Sequence, residues 1–122
     1  MGQTTGFLTK SLTATGFIAK RRFVVFGPAD GTGAQASAAT SFIAGVSSDI
    51  DTDVGQRASV FMGGNIADIE YGANVTRGQP LTADAQGRAI PATSAGQFIG
   101  GFAEVSGVLG TIGSCIVQPH IY

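Results

Sequence analysis

The chain has 122 residues, 43% of them apolar, only 12% charged, and nineteen glycines. That length fits one domain, and this much apolar content with so little charge excludes a disordered tail or a coiled coil. A formal charge of -1 gives no basic surface for a nucleic acid backbone, and no apolar run is long enough to span a bilayer.

Residues 1–20 read as an extended N-terminal arm, and 21–122 as the folded unit. The arm shows neither the early charge nor the unbroken apolar run of a secretion signal. It is polar and small at Gln3–Gly6 and Ser11–Gly16, with Phe7, Leu8, Phe17 and Ile18 spaced along it. Apolar anchors without a core of their own order against something else. The arrangement predicts that Phe17 and Ile18 meet the chain's own domain and that Phe7 and Leu8 meet a neighbour. Lys20-Arg21-Arg22 follows, a small basic cluster that fits either an acidic partner surface or a solvated strand end.

Short apolar segments divided by turn chemistry fill the rest. Arg22–Phe26 is a strand ended by Gly27-Pro28 and Asp30-Gly31. Gly31–Ala36 matches the G-x-G-x-x-A string of dinucleotide sites, but that mechanism needs a crossover helix behind it, so a hairpin is the expected form. The alanine-rich stretch Ala34–Ser41 is the one place where a helix is compatible with the pattern. Phe42–Val46 is a strand with Phe42, Ala44 and Val46 on one face. Asp49, Asp51 and Asp53 alternate before Gly55. They lack the loop glycine and distal Glu of a calcium loop, which leaves a solvated turn or weak cation binding.

Arg57–Met62 turns Ala58, Val60 and Met62 to one side. Asn65–Tyr71 places Ala67, Ile69 and Tyr71 inward, with Asp68 and Glu70 outward. Gln97–Val105 and Thr111–Gln118 are the remaining strands. Cys115 lies in an apolar run and reads as a small core residue. His120 is the only histidine, sits beside Pro119, and is poorly placed for a catalytic triad, which needs a rigid support. His120, Ile121 and Tyr122 form a short apolar tail. No cofactor is called for.

Laying Arg21–Ser47 on Arg77–Ala103, an offset of 56 residues, matches Arg21/Arg77, Ala29/Ala85, Gly31/Gly87, Ala36/Ala92, Ala39/Ala95, Phe42/Phe98, Ile43/Ile99 and Gly45/Gly101. Each half then reads as strand, Gly turn, small-residue strand, Phe-Ile strand, loop, strand. Either duplication or convergent β composition accounts for the match. The fold class expected is all-β: a compact barrel-like domain, two repeated halves closing on each other and removing exposed edges.

The run Tyr71–Ile90 resembles the capsid cement, or head decoration, proteins of tailed bacteriophages. Their "G-x-P-L-T-x-D-x-x-G-(K/R)-A" phrase is matched by Gly78, Pro80, Leu81, Thr82, Asp84, Gly87, Arg88 and Ala89. Phe23–Ala36, Gly45–Ser47 and Gly113–Val117 are similar to other parts of the same family. The resemblance implies a non-enzymatic virion protein, made in the host cytoplasm and bound to the outer surface of the capsid. Its expected partner is the major capsid protein, and its expected form a homo-oligomer, a trimer above all, without nucleic acid or membrane. The residues expected to meet partners are Phe7, Leu8, Phe17, Ile18, Arg21, Arg22, Ile121 and Tyr122, with Gly6–Leu12 adding a strand to a neighbour's sheet edge. A tail or fibre β-module is the alternative, and a small-ligand-binding barrel using Asp49, Asp51, Asp53 or His120 a further one.

Overall fold

The computed structural model describes residues 9–122, among which there are ten strands and no helix. They are β1 (Thr9–Ala14), β2 (Phe23–Phe26), β3 (Thr32–Gln35), β4 (Ile43–Ser47), β5 (Arg57–Phe61), β6 (Ile66–Glu70), β7 (Pro80–Ala83), β8 (Ala89–Pro91), β9 (Phe98–Ala103) and β10 (Ile112–Ile121). The first five close into a barrel in the order β1-β3-β2-β4-β5, and the second five form a sheet in the order β6-β10-β9-β7-β8. Starting from β1 and going round through β5 gives β1-β5-β4-β2-β3, the same order as the second sheet.

The repeat extends to the register of every pairing. Val46 faces Phe61 as Phe102 faces Ile116. Thr9 faces Phe61 as Ile66 faces Ile116. Val24 faces Gly45 as Leu81 faces Gly101. Ala14 meets Gly33 in parallel as Tyr71 meets Ala89, and the lone bridge Ile18–Thr52 recurs as Val75–Gly107. The offset is 57 between Thr9 and Ile66, 56 between Val46 and Phe102, and 55 between Phe61 and Ile116. One residue has therefore dropped out of each of two connections in the second half. The turn glycines Gly31 and Gly87 share a left-handed φ of 77°, so the G-x-G-x-x-A string is a hairpin and Ala34–Ser41 is not helical.

Alternation sets which side chains face the core. In β5, Ala58 and Val60 point in and Arg57 and Ser59 out; in β6, Ala67 and Ile69 point in and Asp68 out. Leu12, Ala14, Ile18, Val24, Ala58 and Val60 fill the first barrel. A larger cluster joins the second half's Ile69, Tyr71, Leu81 and Cys115 to Phe23, Ile43 and Val46 of the first. The expectation of a one-sided β4 fails, since all five of its positions are buried while Phe42 is exposed. A bulge lies at Ala44, where Val24 pairs with Gly45 but Val25 with Ile43, and it breaks the alternation. The second half also packs on β4 through β6, β9 and β10.

The N-terminal arm needs correction from residue 9 onward. β1 pairs along Thr9–Thr13 with β5 and at its end with β3, and Leu12, Ala14 and Ile18 are fully buried. Residues 9–20 are therefore part of the first barrel, and Ser11 and Leu12 are already paired within the chain. They were hard to recognise because the narrow barrel takes only two apolar side chains from β1. Phe7 and Leu8 lie outside the described residues.

The two halves differ at one seam. In the first, Thr13 N–H donates to Gly31 O at 2.8 Å and helps close the barrel. The equivalent groups of the second half turn to the first: Glu70 N–H donates to Arg21 O (3.1 Å), and Gly87 O accepts from Phe23 N–H (2.8 Å). The segment Arg21–Phe23 thus enters between β6 and the start of β8. A Cβ on Gly87 would stand 2.9 Å from Ala36 O, which shows how tightly the halves meet.

Candidate interaction surfaces

The seam absorbs one residue expected at a partner. Arg22 Nη2 lies 3.1 Å from Glu70 Oε1, and its Nη1 donates to Gln86 O at 2.9 Å. Gln35 Nε2 donates to the same carbonyl, and Arg88 pairs with Asp84 at 2.9 Å. Arg22 therefore ties the halves together. Arg21 carries a left-handed φ of 57°, rare for a side chain with a Cβ. Its counterpart at the same backbone position in the second half is Gly78, also left-handed at 91°. Beside Arg21 a cleft of about 270 Å³ opens between the halves, lined by Asp49, Phe61, Ile66 and Asp68.

Among the chemistry-bearing groups, Asp51, Tyr71 and His120 have structural partners. Asp51 Oδ1 accepts from Lys20 N–H at 2.9 Å, just as Ser106 Oγ accepts from Arg77 N–H at 2.9 Å in the other half. A serine serves equally at that position, so Asp51 acts there as a loop-fixing acceptor. Among the described residues, no three of His, Cys, Asp or Glu come together as metal ligands would. Cys115 is buried, and burial, with the Glu104 carboxylate second, pushes its thiol up to about 12. Tyr71 is fully buried, donates to Val105 O at 2.6 Å, and has its pKa raised, chiefly by burial. His120 Nδ1 lies 2.7 Å from Gln118 O, and its ring stacks on Phe102.

What remains open to a partner is apolar. Phe17 is 55% exposed and Ile18 is a core residue, so these neighbours in sequence part company. Ile50 and Val54 stand out from the β4–β5 loop at 68% and 66% exposure. At the equivalent places in the β9–β10 loop stand Val105 and Leu109, with Val108 between them, all exposed. Ile121 and Tyr122 are exposed, and Ile121 lies opposite Phe98, which meets Phe42 and through it Phe26. The sequence reading missed the loop residues and the three phenylalanines. The repeat was the available signal, because it carries apolar residues into matching loops that a core does not require.

Comparison with known proteins agrees with this architecture. The structure resembles the crystal structure of the head fiber gp8.5 N base of bacteriophage phi29, with a TM-score of 0.71 and 18% identity, over 92% of this chain and 94% of that one. At that identity the likeness shows the fold. No curated protein matches the sequence. The profile of the phage cement protein family matches residues 2–108, nearly the whole chain, with both β-halves represented: this chain belongs to the phage cement protein family.

Proposed function

We propose that this cement-family protein decorates the outer surface of the assembled phage head as a homo-oligomer, a trimer, and holds adjacent major capsid subunits together. It is made in the host cytoplasm and carries no catalytic role. Membership of the cement family over residues 2–108 is the observation that carries the reading. The exposed apolar side chains support it: Phe17, Ile50, Val54, Val105, Val108 and Leu109 stand on loops of a scaffold whose core is complete without them. Phe7, Leu8, Phe17 and Arg21 are the partner contacts kept from the sequence reading on the capsid side. A ligand that binds only the assembled lattice stabilises that lattice against every other state. Several weak contacts on one oligomer then add through effective concentration.

The test mixes the purified chain with emptied mature heads and with unexpanded precursors, and counts bound copies. Saturable uptake by mature heads alone is expected; no saturable uptake by either particle refutes the reading. The fold shared with a head-fibre base supports a second reading, a base carrying a fibre on the same head. Mass spectrometry of the chain from particles separates the two. A chain of 12.3 kDa is a decoration protein, and a much longer one is a fibre base.

A further inference from the structure

Phe26 at the end of β2 stacks on Phe42, with ring centroids 6.3 Å apart and planes 7° from parallel. Phe42 meets Phe98 edge-on at 6.0 Å. Phe98 faces Ile121 across the β9–β10 pairing. Tyr122 is held beside it, with its N–H donating to Gln97 O at 2.8 Å and its own O accepting from Gly96 N–H at 3.2 Å. Four large side chains, Phe26, Phe42, Phe98 and Ile121, thus form one face, and Phe26, Phe42 and Ile121 are each about half exposed. The surrounding sequence carries little charge: residues 36–48 contain no Asp, Glu, Lys or Arg, residues 89–122 contain only Glu104, and Asp30 stands in the turn after Phe26.

We propose that this face is where copies of the chain join one another. The proposal rests on the homo-oligomer of the preceding reading and says where that contact forms. An uncharged face meets its own kind without Coulombic repulsion, and charge depletion with aromatic enrichment is the composition of an interface core. The other apolar group, Phe17, Ile50 and Val54, sits among Lys20, Asp49, Asp51 and Asp53, so self-contact there would oppose like charges. It suits a different partner, the capsid lattice.

Area agrees. A buried aromatic side chain contributes roughly 150–250 Å², so half-exposed rings leave on the order of 100 Å² each. These side chains of two copies then cover about 700 Å² together, and the polar rim brings the contact to about 1,000 Å², the least a specific interface buries. Ser37, Thr40, Ser41, Thr93 and Ser94 supply an uncharged exposed rim. The rings are already fixed against one another and on strand ends, so little side-chain freedom is lost on joining.

Sedimentation velocity across micromolar concentrations tests this on the full chain. The wild type is expected to self-associate, and Phe42→Ser and Phe26→Ser each to raise the dissociation constant about thirtyfold, as for an aromatic anchor. Both positions are half exposed, so far-UV circular dichroism should show an intact fold. Leu109→Ser, on the exposed β9–β10 loop, should leave association unchanged. The assignment is overturned if both substitutions leave association unchanged, or if Leu109→Ser abolishes it. It is also overturned if removing residues 2–8 strengthens association, which would make that segment the occupant of the face. A monomeric wild type that still saturates mature heads overturns this assignment and leaves head binding standing; an oligomer that binds no head does the reverse.

Discussion

Gly45 on β4 and Gly101 on β9 occupy the same place in the two halves, and each has a neighbouring strand where a side chain would be. A Cβ on Gly45 would overlap the carbonyl oxygen of Phe61 and lie 3.0 Å from its carbon and from Val60 Cγ1. A Cβ on Gly101 would overlap the carbonyl oxygen of Ile116 and lie 3.2 Å from Val117 Cα. The obstacle is backbone in both cases, so no rotamer change relieves it. Gly45→Ala must push β4 and β5 apart near the Val46–Phe61 pair, and Gly101→Ala must do the same to β9 and β10 near Phe102–Ile116. Overpacking of this kind costs about 1–3 kcal/mol, and a weakened ladder hydrogen bond about 1 more. We therefore expect each substitution to lower unfolding stability by about 2–4 kcal/mol in urea melts, a midpoint shift of roughly 1–2 M. The control is Gly16→Ala, where nothing lies within 4 Å, and the expected change is within about 0.5 kcal/mol. A cost below about 0.5 kcal/mol for Gly45→Ala refutes the steric reasoning. A large cost at Gly45 with none at Gly101 refutes the equivalence of the halves.

Three further outcomes are expected. Gly31→Ala should cost about 1 kcal/mol, from left-handed φ alone, since nothing lies within 4 Å. Gly87→Ala, at the same φ but 2.9 Å from Ala36 O and Gln35 Cγ, should cost roughly twice that or more in the same urea melts, and equal costs would remove the seam from the account. Glu70→Gln removes the partner of Arg22 and should lower stability by about 1 kcal/mol, by less in high salt; salt-independent loss would show that charge is not the cause. Stability should also fall at alkaline pH. The unfolded thiol ionises from about 9 while folded Cys115 keeps its proton to about 12, so the folded state binds more protons between those values and loses ground as pH rises through them. Tyr71, raised from 10.0, adds to the slope at the upper end. Melts of Cys115→Ala should lack the part of the slope that begins near pH 9; an unchanged profile would assign it elsewhere.

The sequence made one class of strand visible. β5 and β6 alternate cleanly, and Ala58, Val60, Ala67 and Ile69 were placed inward on that ground alone. β1 was missed because it offers only Leu12 and Ala14 as apolar positions. Its partner in the repeat, β6, shares no residue with it at the offset of 57 (Thr9–Ala14 against Ile66–Tyr71), so identity matching could not recover it. The repeat was found at 56, the offset of β3 and β4, whereas β2 and β5 sit one residue to either side. Arg22 looked like a free cation at a strand end, since nothing local shows that Glu70, forty-eight positions on, arrives opposite it. The aromatic face was hidden for a similar reason. Phe26 and Phe98 come from β2 and β9 and Phe42 from the residue before β4, and only the folded chain sets their rings together.

The seam has a consequence for how the molecule comes into being. The leading half closes its barrel with its own five strands, all made once residue 61 has left the ribosome, although its Phe23 N–H finds its acceptor only in Gly87 of the trailing half. The trailing half needs Arg21–Phe23, already made and held in place by its own barrel, to complete its ladder at Glu70 and Gly87. Translation therefore delivers the template before the part that needs it. An isolated trailing half would leave Glu70 N–H and Gly87 O without their partners and an isolated leading half would leave Phe23 N–H without its own, so the two halves work as an ordered pair and are not interchangeable.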